Sequence, residues 1–178
     1  MDNYYIRYAE PCDAAALLDI YSYYVLNTAI SFEYDVPSLQ EFRSRIETIL
    51  KKYPYIVIES SDGIAGYAYA APFKTREAYK YSVEITIYLK HGVQKKGYGR
   101  ALIEALEKEL NAMGYTNANA CIAYTENEDE YLSNNSMQFH GHMGYRFVGR
   151  FIKCAYKFDR WYDMIWMEKH IGEHCKKD

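Results

Sequence analysis

Short runs in which apolar and polar residues alternate predict the strands of a sheet. The clearest run covers residues 81–89, where Val83 and Ile85 begin an apolar face and Glu84 and Thr86 lie on a polar one. Successive side chains of a strand point to opposite faces, so this pattern is typical of a strand with one buried side. Further strands are predicted at residues 4–8, 55–59, 65–73, 118–124, 146–158 and 161–169.

Apolar residues at helical spacing predict four helices between these strands. Asp13 is the expected N-cap of the first helix, and a capping box at residues 38–41 begins the second, which Pro54 ends. The third and fourth helices end at Gly114 and Gly144, because glycine readily adopts the conformation that closes a helix. This order, followed by a closing hairpin, predicts a single α/β domain with a mixed parallel and antiparallel sheet flanked by helices.

The composition of the 178-residue chain indicates a soluble globular protein, since 49% of the residues are hydrophobic and 25% are charged. The length fits one domain, which we place at residues 1–172, followed by a charged tail at 173–178. The net charge of -3 argues against non-specific nucleic-acid binding, which requires a basic excess. The 21 tyrosines, each with an apolar ring and a polar hydroxyl, suit pocket walls or a subunit interface.

Signals for export, membrane insertion and metal binding are missing from the sequence. No apolar run reaches the roughly 18 residues that span a membrane, and the N-terminus lacks the regions of a signal peptide. The cysteines form no C-x-x-C pair and have no histidine at zinc-ligand spacing; they are Cys12, Cys121, Cys154 and Cys175. We therefore expect reduced thiols in a cytoplasmic protein that holds no metal.

A glycine-containing loop at residues 94–100 lies between the 81–89 strand and the third helix. The first turn of a helix presents amide N–H groups without internal partners, and Gly97 and Gly99 leave room for an anion to approach them. Cations surround the same point: Lys95, Lys96 and Arg100. A pyrophosphate is the expected ligand, although this motif alone leaves open a simple glycine turn with solvated lysines.

The order of strand, Gln-x-x-Gly-x-Gly loop, helix, strand, short helix and hairpin resembles the Gcn5-related N-acetyltransferases. Within that family the chain is most similar to the phosphinothricin (methionine sulfoximine) acetyltransferase branch. The similar segments are residues 27–33, 66–73, 76–79, 82–84, 139–140, 144–145 and 157–163. They occur in the family's order and extend the resemblance from residue 6 to about residue 168.

The resemblance implies that acetyl-CoA is the cosubstrate and that the glycine loop holds its pyrophosphate through backbone amides. It assigns the coenzyme to Ile87, Tyr88, Leu89, Lys95, Lys96, Gly97, Tyr98, Gly99, Arg100 and Asn135. The strand is expected to splay at residues 87–89, which frees amides for the acetyl group and the pantetheine arm. The link at residues 125–135 is longer than in the branch, so the asparagine that contacts coenzyme A could also be Asn134.

Two residues are candidates for proton transfer. An alkyl amine has a pKa of about 10.4 and must lose a proton before it attacks, and a carboxylate in a partly dry cleft can accept that proton. Glu84 matches the general base of the branch; the alternative is a strand glutamate that faces water. His140 stands where many relatives carry a tyrosine acid, and it could instead be a packed structural histidine. Tyr145 and Tyr156 are reserve acids.

The acceptor side is the least defined by sequence. Phe32 could form an apolar wall, while Lys74 and Arg76 could hold a carboxylate or phosphinate, or could simply be solvated loop cations. The resemblance implies a small amino-acid-like amine as acceptor and a homodimeric protein without nucleic-acid or membrane partners. A protein N-terminus or lysine as acceptor, and a non-catalytic acyl-CoA sensor, remain the alternatives.

Overall fold

The computed structural model describes residues 3–93 and 96–175, and these residues form one seven-stranded sheet flanked by four α-helices. The strands are β1 (Tyr4–Tyr8), β2 (Tyr55–Ser60), β3 (Gly63–Pro72), β4 (Ser82–Leu89), β5 (Asn117–Tyr124), β6 (Arg146–Lys157) and β7 (Arg160–His170). The helices are α1 (Ala14–Asn27), α2 (Leu39–Leu50), α3 (Tyr98–Ala112) and α4 (Asn135–His142). Short 3-10 turns occupy Pro11–Asp13 and Glu77–Tyr79.

The strand order is β1-β2-β3-β4-β5-β7-β6, and every neighbouring pair is antiparallel except β4 and β5. The predicted mixed α/β sheet is therefore confirmed, and each predicted helix and strand is present. The last strand ends at His170, just before the predicted tail, of which residues 176–178 lie outside the described part. The boundary of the domain at residue 172 stays a prediction.

Both predicted helix caps differ from the structure in detail. Asp13 does not bond to the helix it precedes; its carboxylate accepts from Arg7 at 2.7 and 2.9 Å and from the Glu10 amide at 2.8 Å. An ion pair to the neighbouring strand thus replaces the cap. At α2 the Ser38 hydroxyl accepts from the Glu41 amide at 3.1 Å, which forms half of the capping box.

The core has two layers, one on each face of the sheet. On one face Val83 and Ile85 pack with Leu102 and Leu106 of α3, as the alternation along β4 predicts. On the other face α1 and α2 cover the tyrosine-rich centre of β2 and β3. The buried residues of this second layer include Leu17, Ile46, Tyr55 and Tyr67. Polar tips on these rings give the second layer the chemistry of a pocket wall.

Strands β4 and β5 pair for only half of their length. Their parallel register runs from Ser82–Asn117 to Ile85–Ala120 and then stops. Beyond that point β4 stays paired with β3 up to Leu89, and β5 stays paired with β7 up to Tyr124. The two strands therefore diverge into a gap, and the predicted splay is confirmed. Alternate amides of β4 beyond Ile85 face this gap rather than β3, because backbone groups alternate in direction along a strand.

The irregular segment after α1 is fixed by contacts from distant parts of the chain. The buried Lys157 ammonium donates to the carbonyl oxygens of Val25, Thr28 and Ser31 at 2.8, 2.9 and 2.7 Å. Burial lowers the pKa of Lys157. The link at residues 125–134 contains no regular element. It contacts the same region, because the Ala29 amide donates to the Tyr131 carbonyl at 2.9 Å.

Candidate functional site

Two cavities meet where β4 and β5 diverge. The inner cavity has a volume of about 270 Å³ and lies among β3, β4, α2 and the segment after α1. The outer cavity has a volume of about 550 Å³ and lies between α1, α4 and the N-terminus of α3. Four residues line both cavities: Ile30, Ile87, Tyr88 and Ser136. A ligand that extends along the outer cavity can therefore present one end to the inner one.

The outer cavity is lined by the residues that the family resemblance assigns to the coenzyme. All of those that the structure describes line it: Ile87, Tyr88, Leu89, Lys96, Gly97, Tyr98, Gly99, Arg100 and Asn135. The assigned Lys95 and the loop residue Gln94 lie outside the described residues. The Asn134 side chain instead donates to the Thr125 carbonyl at 2.8 Å. This arrangement supports Asn135 over Asn134 as the residue that faces the coenzyme.

The N-terminus of α3 forms part of the wall of the outer cavity. Gly97 is the N-cap and has a φ of 81°, in the left-handed region that favours glycine. The first helical hydrogen bond in this turn runs from the Ala101 amide to the Gly97 carbonyl at 3.1 Å, so the preceding amides have no partner within the helix. A Cβ added at Gly97 would meet no atom within 4 Å, which leaves open space beside these amides. The turn therefore fits a diphosphate.

Gly99 has a packing role that the sequence did not predict. A Cβ at this position would lie 3.2 Å from Cε2 and 3.3 Å from Cζ of Phe139 on α4. The missing side chain therefore lets α3 and α4 pack closely, in addition to any room that it leaves for an anion. Close packing places Asn135 and Phe139 of α4 against the outer cavity.

Glu84 lines the inner cavity, on the polar face of β4 that the sequence predicted. The side chain is partly buried, and burial raises the pKa of the carboxyl, while the nearby Lys74 ammonium partly opposes this effect. A raised pKa makes the carboxylate a stronger base at neutral pH. Glu84 is thus a cavity carboxylate rather than a strand glutamate facing bulk water.

His140 also lines the inner cavity and is 4% exposed. Its Nδ1 lies 2.8 Å from the Ser136 carbonyl oxygen, which can only accept, so Nδ1 carries the proton of the neutral ring. Nε2 is then an acceptor, and burial lowers the pKa of the imidazole. The two reserve acids, Tyr145 and Tyr156, line neither cavity.

The predicted acceptor residues separate in the structure. Phe32 lines the inner cavity, but Lys74 and Arg76 line neither cavity. The Lys74 ammonium lies over the rings of Phe73 and Trp166, at 4.6 and 5.0 Å from their centroids, and Arg76 is exposed before a 3-10 turn. The assignment of these two cations to the acceptor stays a prediction: neither lines the cavity, although the Lys74 ammonium lies near Glu84.

Arg45 of α2 is a cavity cation that the sequence analysis missed. It lines the inner cavity together with Glu33 and Glu84. The only sequence pattern around Arg45 is its four-residue spacing from Glu41. Such ion pairs are common on exposed helix surfaces and do not indicate a binding site. Among residues 3–93 and 96–175, no group of three or more His, Cys, Asp or Glu could hold a metal ion. None of the helices in these ranges is long and apolar enough to cross a membrane.

Comparison with known proteins agrees with this geometry. Residues 6–166 match the family described as "Acetyltransferase (GNAT) domain". A phosphinothricin N-acetyltransferase of Streptomyces viridochromogenes is 32% identical over 89% of this chain and 83% of that protein. An L-methionine sulfoximine/L-methionine sulfone acetyltransferase of Salmonella typhimurium is 28% identical over 97% of this chain and 98% of that protein.

A solved structure shows the same fold with a ligand. It is a GNAT superfamily phosphinothricin acetyltransferase from Sinorhizobium meliloti in complex with acetyl-CoA. It superposes with a TM-score of 0.86 and 32% identity, over 95% of this chain and 89% of that one. Together with the family match over most of the chain, this likeness confirms the resemblance that the motifs indicated. The chain therefore belongs to the GNAT family and is an acetyl-CoA-dependent N-acetyltransferase.

Proposed function

We propose that this enzyme acetylates the α-amine of a small amino-acid-like acceptor of the phosphinothricin or methionine sulfoximine type, by direct attack with Glu84 as the general base. The observation that carries the proposal is the meeting of the two cavities at the gap between β4 and β5. One cavity has the anion site and the other has the carboxylate. The names of the relatives supply the class of acceptor.

Acetyl-CoA supplies an acetyl group activated as a thioester. The amides at the N-terminus of α3 hold its diphosphate, aided by Lys96 and Arg100 at the rim of the outer cavity. The β4 amides beyond Ile85 donate hydrogen bonds to the pantetheine arm and to the carbonyl oxygen, where negative charge develops during attack. Because these donors belong to a paired strand, they are held in place before the reaction begins.

Glu84 and His140 handle the protons. Glu84 accepts the proton that the acceptor ammonium loses before its nitrogen attacks the acetyl carbon. The nitrogen loses a second proton as the amide forms and the carbon–sulfur bond breaks. His140 in its neutral form accepts this proton at Nε2 and returns it to the leaving sulfur. We therefore assign His140 to proton transfer at the inner cavity, as a relay rather than as a resident acid.

Direct attack is favoured over an acyl-enzyme route. Cys121 lines the inner cavity and is exposed at its surface, but partial desolvation of the thiol and the nearby Glu84 carboxylate raise its pKa to about 12. A thiol with this pKa is almost entirely protonated at neutral pH and is a poor nucleophile. The amine of the acceptor is therefore the group that attacks.

The acceptor class is tested by following release of the coenzyme A thiol with phosphinothricin, methionine sulfoximine, methionine sulfone and a panel of amino acids. We expect turnover well above the acceptor-free background with at least one of them, because the inner cavity of about 270 Å³ suits a small molecule. A short peptide series is the comparison. Turnover confined to peptides would support the protein-directed alternative, and tight coenzyme binding without any turnover would support a sensor.

We also propose that the protein is a homodimer that associates through β6. This strand is the edge of the sheet, and several large apolar side chains on or beside it are exposed: Phe147, Val148, Phe151, Ile152 and Trp161. Soluble monomers rarely expose contiguous apolar patches of this kind. The predicted cytoplasmic location likewise stays a proposal, which cell fractionation tests.

Replacing Phe151 with Asp should shift the protein from dimer to monomer in size-exclusion chromatography with light scattering. The reason is that a carboxylate buried against a second apolar surface loses its hydration. The matched control is Leu39→Asp, which changes an exposed apolar residue at the start of α2, a helix that packs over β2 and β3 rather than over the β6 edge. A wild-type monomer, or a Phe151→Asp dimer of unchanged stability, would contradict the proposed interface.

A further inference from the structure

The inner cavity has charges of both signs on its wall. Its lining includes the carboxylates of Glu33 and Glu84 and the guanidinium of Arg45, whose side chain is 39% exposed. Among the lining residues that the structure describes, Arg45 is the only arginine or lysine. An anionic group of an acceptor in this cavity therefore meets the guanidinium of Arg45 on the cavity wall, whereas the Lys74 ammonium acts on Glu84 from outside the lining.

Two neighbouring carboxylates hold the Arg45 guanidinium in position but use only part of its hydrogen-bonding capacity. One terminal nitrogen donates to Glu33 at 2.7 Å and the other donates to Glu41 at 2.5 Å. A guanidinium has about five N–H donors in a planar fork, so these two bonds leave donors for a further oxygen ligand. Partial burial lowers the pKa of Arg45, but its hydrogen bonds to Glu41 and Glu33 raise it more, so the side chain stays cationic.

Arg45, Glu84 and Tyr69 line the same cavity. The Tyr69 ring is partly buried; burial raises the pKa of its hydroxyl, the Glu84 carboxylate raises that pKa further, and the Arg45 guanidinium lowers it. In the β3–β4 register Tyr69 lies opposite Thr86, and Glu84 lies opposite Ala71, further along both strands. The cavity wall thus carries a proton acceptor on β4, just before its pairing with β5 ends, and a cation on α2.

We infer that Arg45 binds an oxyanion of the acceptor and so determines which amines this enzyme selects. The inference rests on the proposed function, because it assigns one end of the acceptor to Arg45 and its amine to Glu84. The oxyanion is either the α-carboxylate or an anionic group on the side chain of the acceptor; both would use the same donors. Lys74 and Arg76, the cations that the sequence predicted for this role, line neither cavity.

The test compares three acceptors in wild-type protein and in Arg45→Gln. Phosphinothricin carries both an α-carboxylate and a phosphinate, methionine carries only the carboxylate, and 3-aminopropyl(methyl)phosphinate carries only the phosphinate. We expect KM for phosphinothricin to rise at least about tenfold in Arg45→Gln, with kcat within about threefold of wild type, which corresponds to lost binding in ground and transition states alike. Arg45→Lys should recover part of the loss. If the KM for methionine rises to the same extent, Arg45 binds the α-carboxylate; if the KM for 3-aminopropyl(methyl)phosphinate does, Arg45 binds the phosphinate.

The matched control is Arg43→Gln, on the same helix. The Arg43 Nε donates to the Pro11 carbonyl at 3.0 Å, and Arg43 lines neither cavity. The phosphinothricin KM of Arg43→Gln should therefore match that of wild type. Acetyl-CoA affinity and Tm show that each variant is folded. An unchanged phosphinothricin KM in folded Arg45→Gln overturns this inference alone. Wild-type protein that turns over none of the three acceptors overturns the proposed function, and this inference with it.

Discussion

Replacing Glu84 with Gln should lower kcat at pH 7 by about 10²- to 10⁴-fold, the range that a general base contributes. Gln keeps the size of the side chain and removes the proton acceptor from the inner cavity. Acetyl-CoA affinity should stay within a few-fold of wild type, because Glu84 does not line the outer cavity. Stopped-flow or steady-state release of the coenzyme A thiol measures kcat, and calorimetric titration measures the affinity for acetyl-CoA.

The pH dependence gives this prediction a second readout. Burial raises the pKa of Glu84, and only the ionised form accepts a proton, so wild-type activity should fall as pH drops through that raised pKa. The pH dependence of folding stability has the opposite direction to that of activity. A raised carboxyl pKa in the folded state stabilises the protein below the unfolded pKa of about 4.3, and this contribution is lost as pH rises through the folded value. Glu84→Gln should therefore be at least as stable as wild type at pH 7.

Glu168→Gln is the matched control for Glu84. Glu168 is also a strand glutamate, on β7, but its carboxylate accepts from Arg146 at 2.7 Å and it lines neither cavity. This variant should keep the wild-type kcat and pH profile. Retention of wild-type turnover by folded Glu84→Gln would remove Glu84 from the mechanism and leave the N–H donors of the strand gap as the main source of catalysis.

Replacing Gly97 with Val should raise the dissociation constant of acetyl-CoA about tenfold or more. At a φ of 81° a valine is strained, typically by about 1–2 kcal/mol, and each 1.4 kcal/mol is a tenfold change in an equilibrium constant. The added Cβ also occupies the open space beside the first-turn amides. The strain displaces the N-cap, and the side chain blocks the approach of the diphosphate.

The control variant Gly63→Val separates the effect of backbone strain from the effect of blocking the diphosphate. Gly63 has a φ of 90°, and an added Cβ there likewise meets no atom within 4 Å, but this glycine lies in the β2–β3 hairpin and lines neither cavity. Both variants should lose a similar amount of Tm, and only Gly97→Val should lose coenzyme affinity. Equal acetyl-CoA affinity in wild type and Gly97→Val would show that the diphosphate binds elsewhere.

The parts of the site that sequence predicted are those whose signal is local. Gly97 and Arg100 lie within four residues of each other, and the alternation along β4 assigns Glu84 to the polar face from its immediate neighbours. Local patterns of this kind survive folding because helix ends and strand faces depend on adjacent residues. The gap between β4 and β5, by contrast, was expected only from the family resemblance.

The missed or misplaced residues depend on contacts between distant segments. Arg45 carries an ordinary surface pattern on α2, and it enters the cavity because α2 packs over β2 and β3 beside the segment that contains Glu33. Lys74 and Arg76 precede β4 closely in sequence, yet Lys74 lies over the rings of Phe73 and Trp166 instead of in the cavity. Spacing along the chain contains no information about either outcome.

By itself, the sequence determined the class of fold, the order of its elements, the glycine turn that begins α3 and the carboxylate on the polar face of β4, because each depends on the periodicity or conformation of neighbouring residues. Only the tertiary structure decided which cation lines the acceptor cavity, that Gly99 serves helix packing, and that His140 bears its proton on Nδ1. These depend on contacts such as Arg45 with Glu33 and Gly99 with Phe139, which exist only once the helices are packed against the sheet.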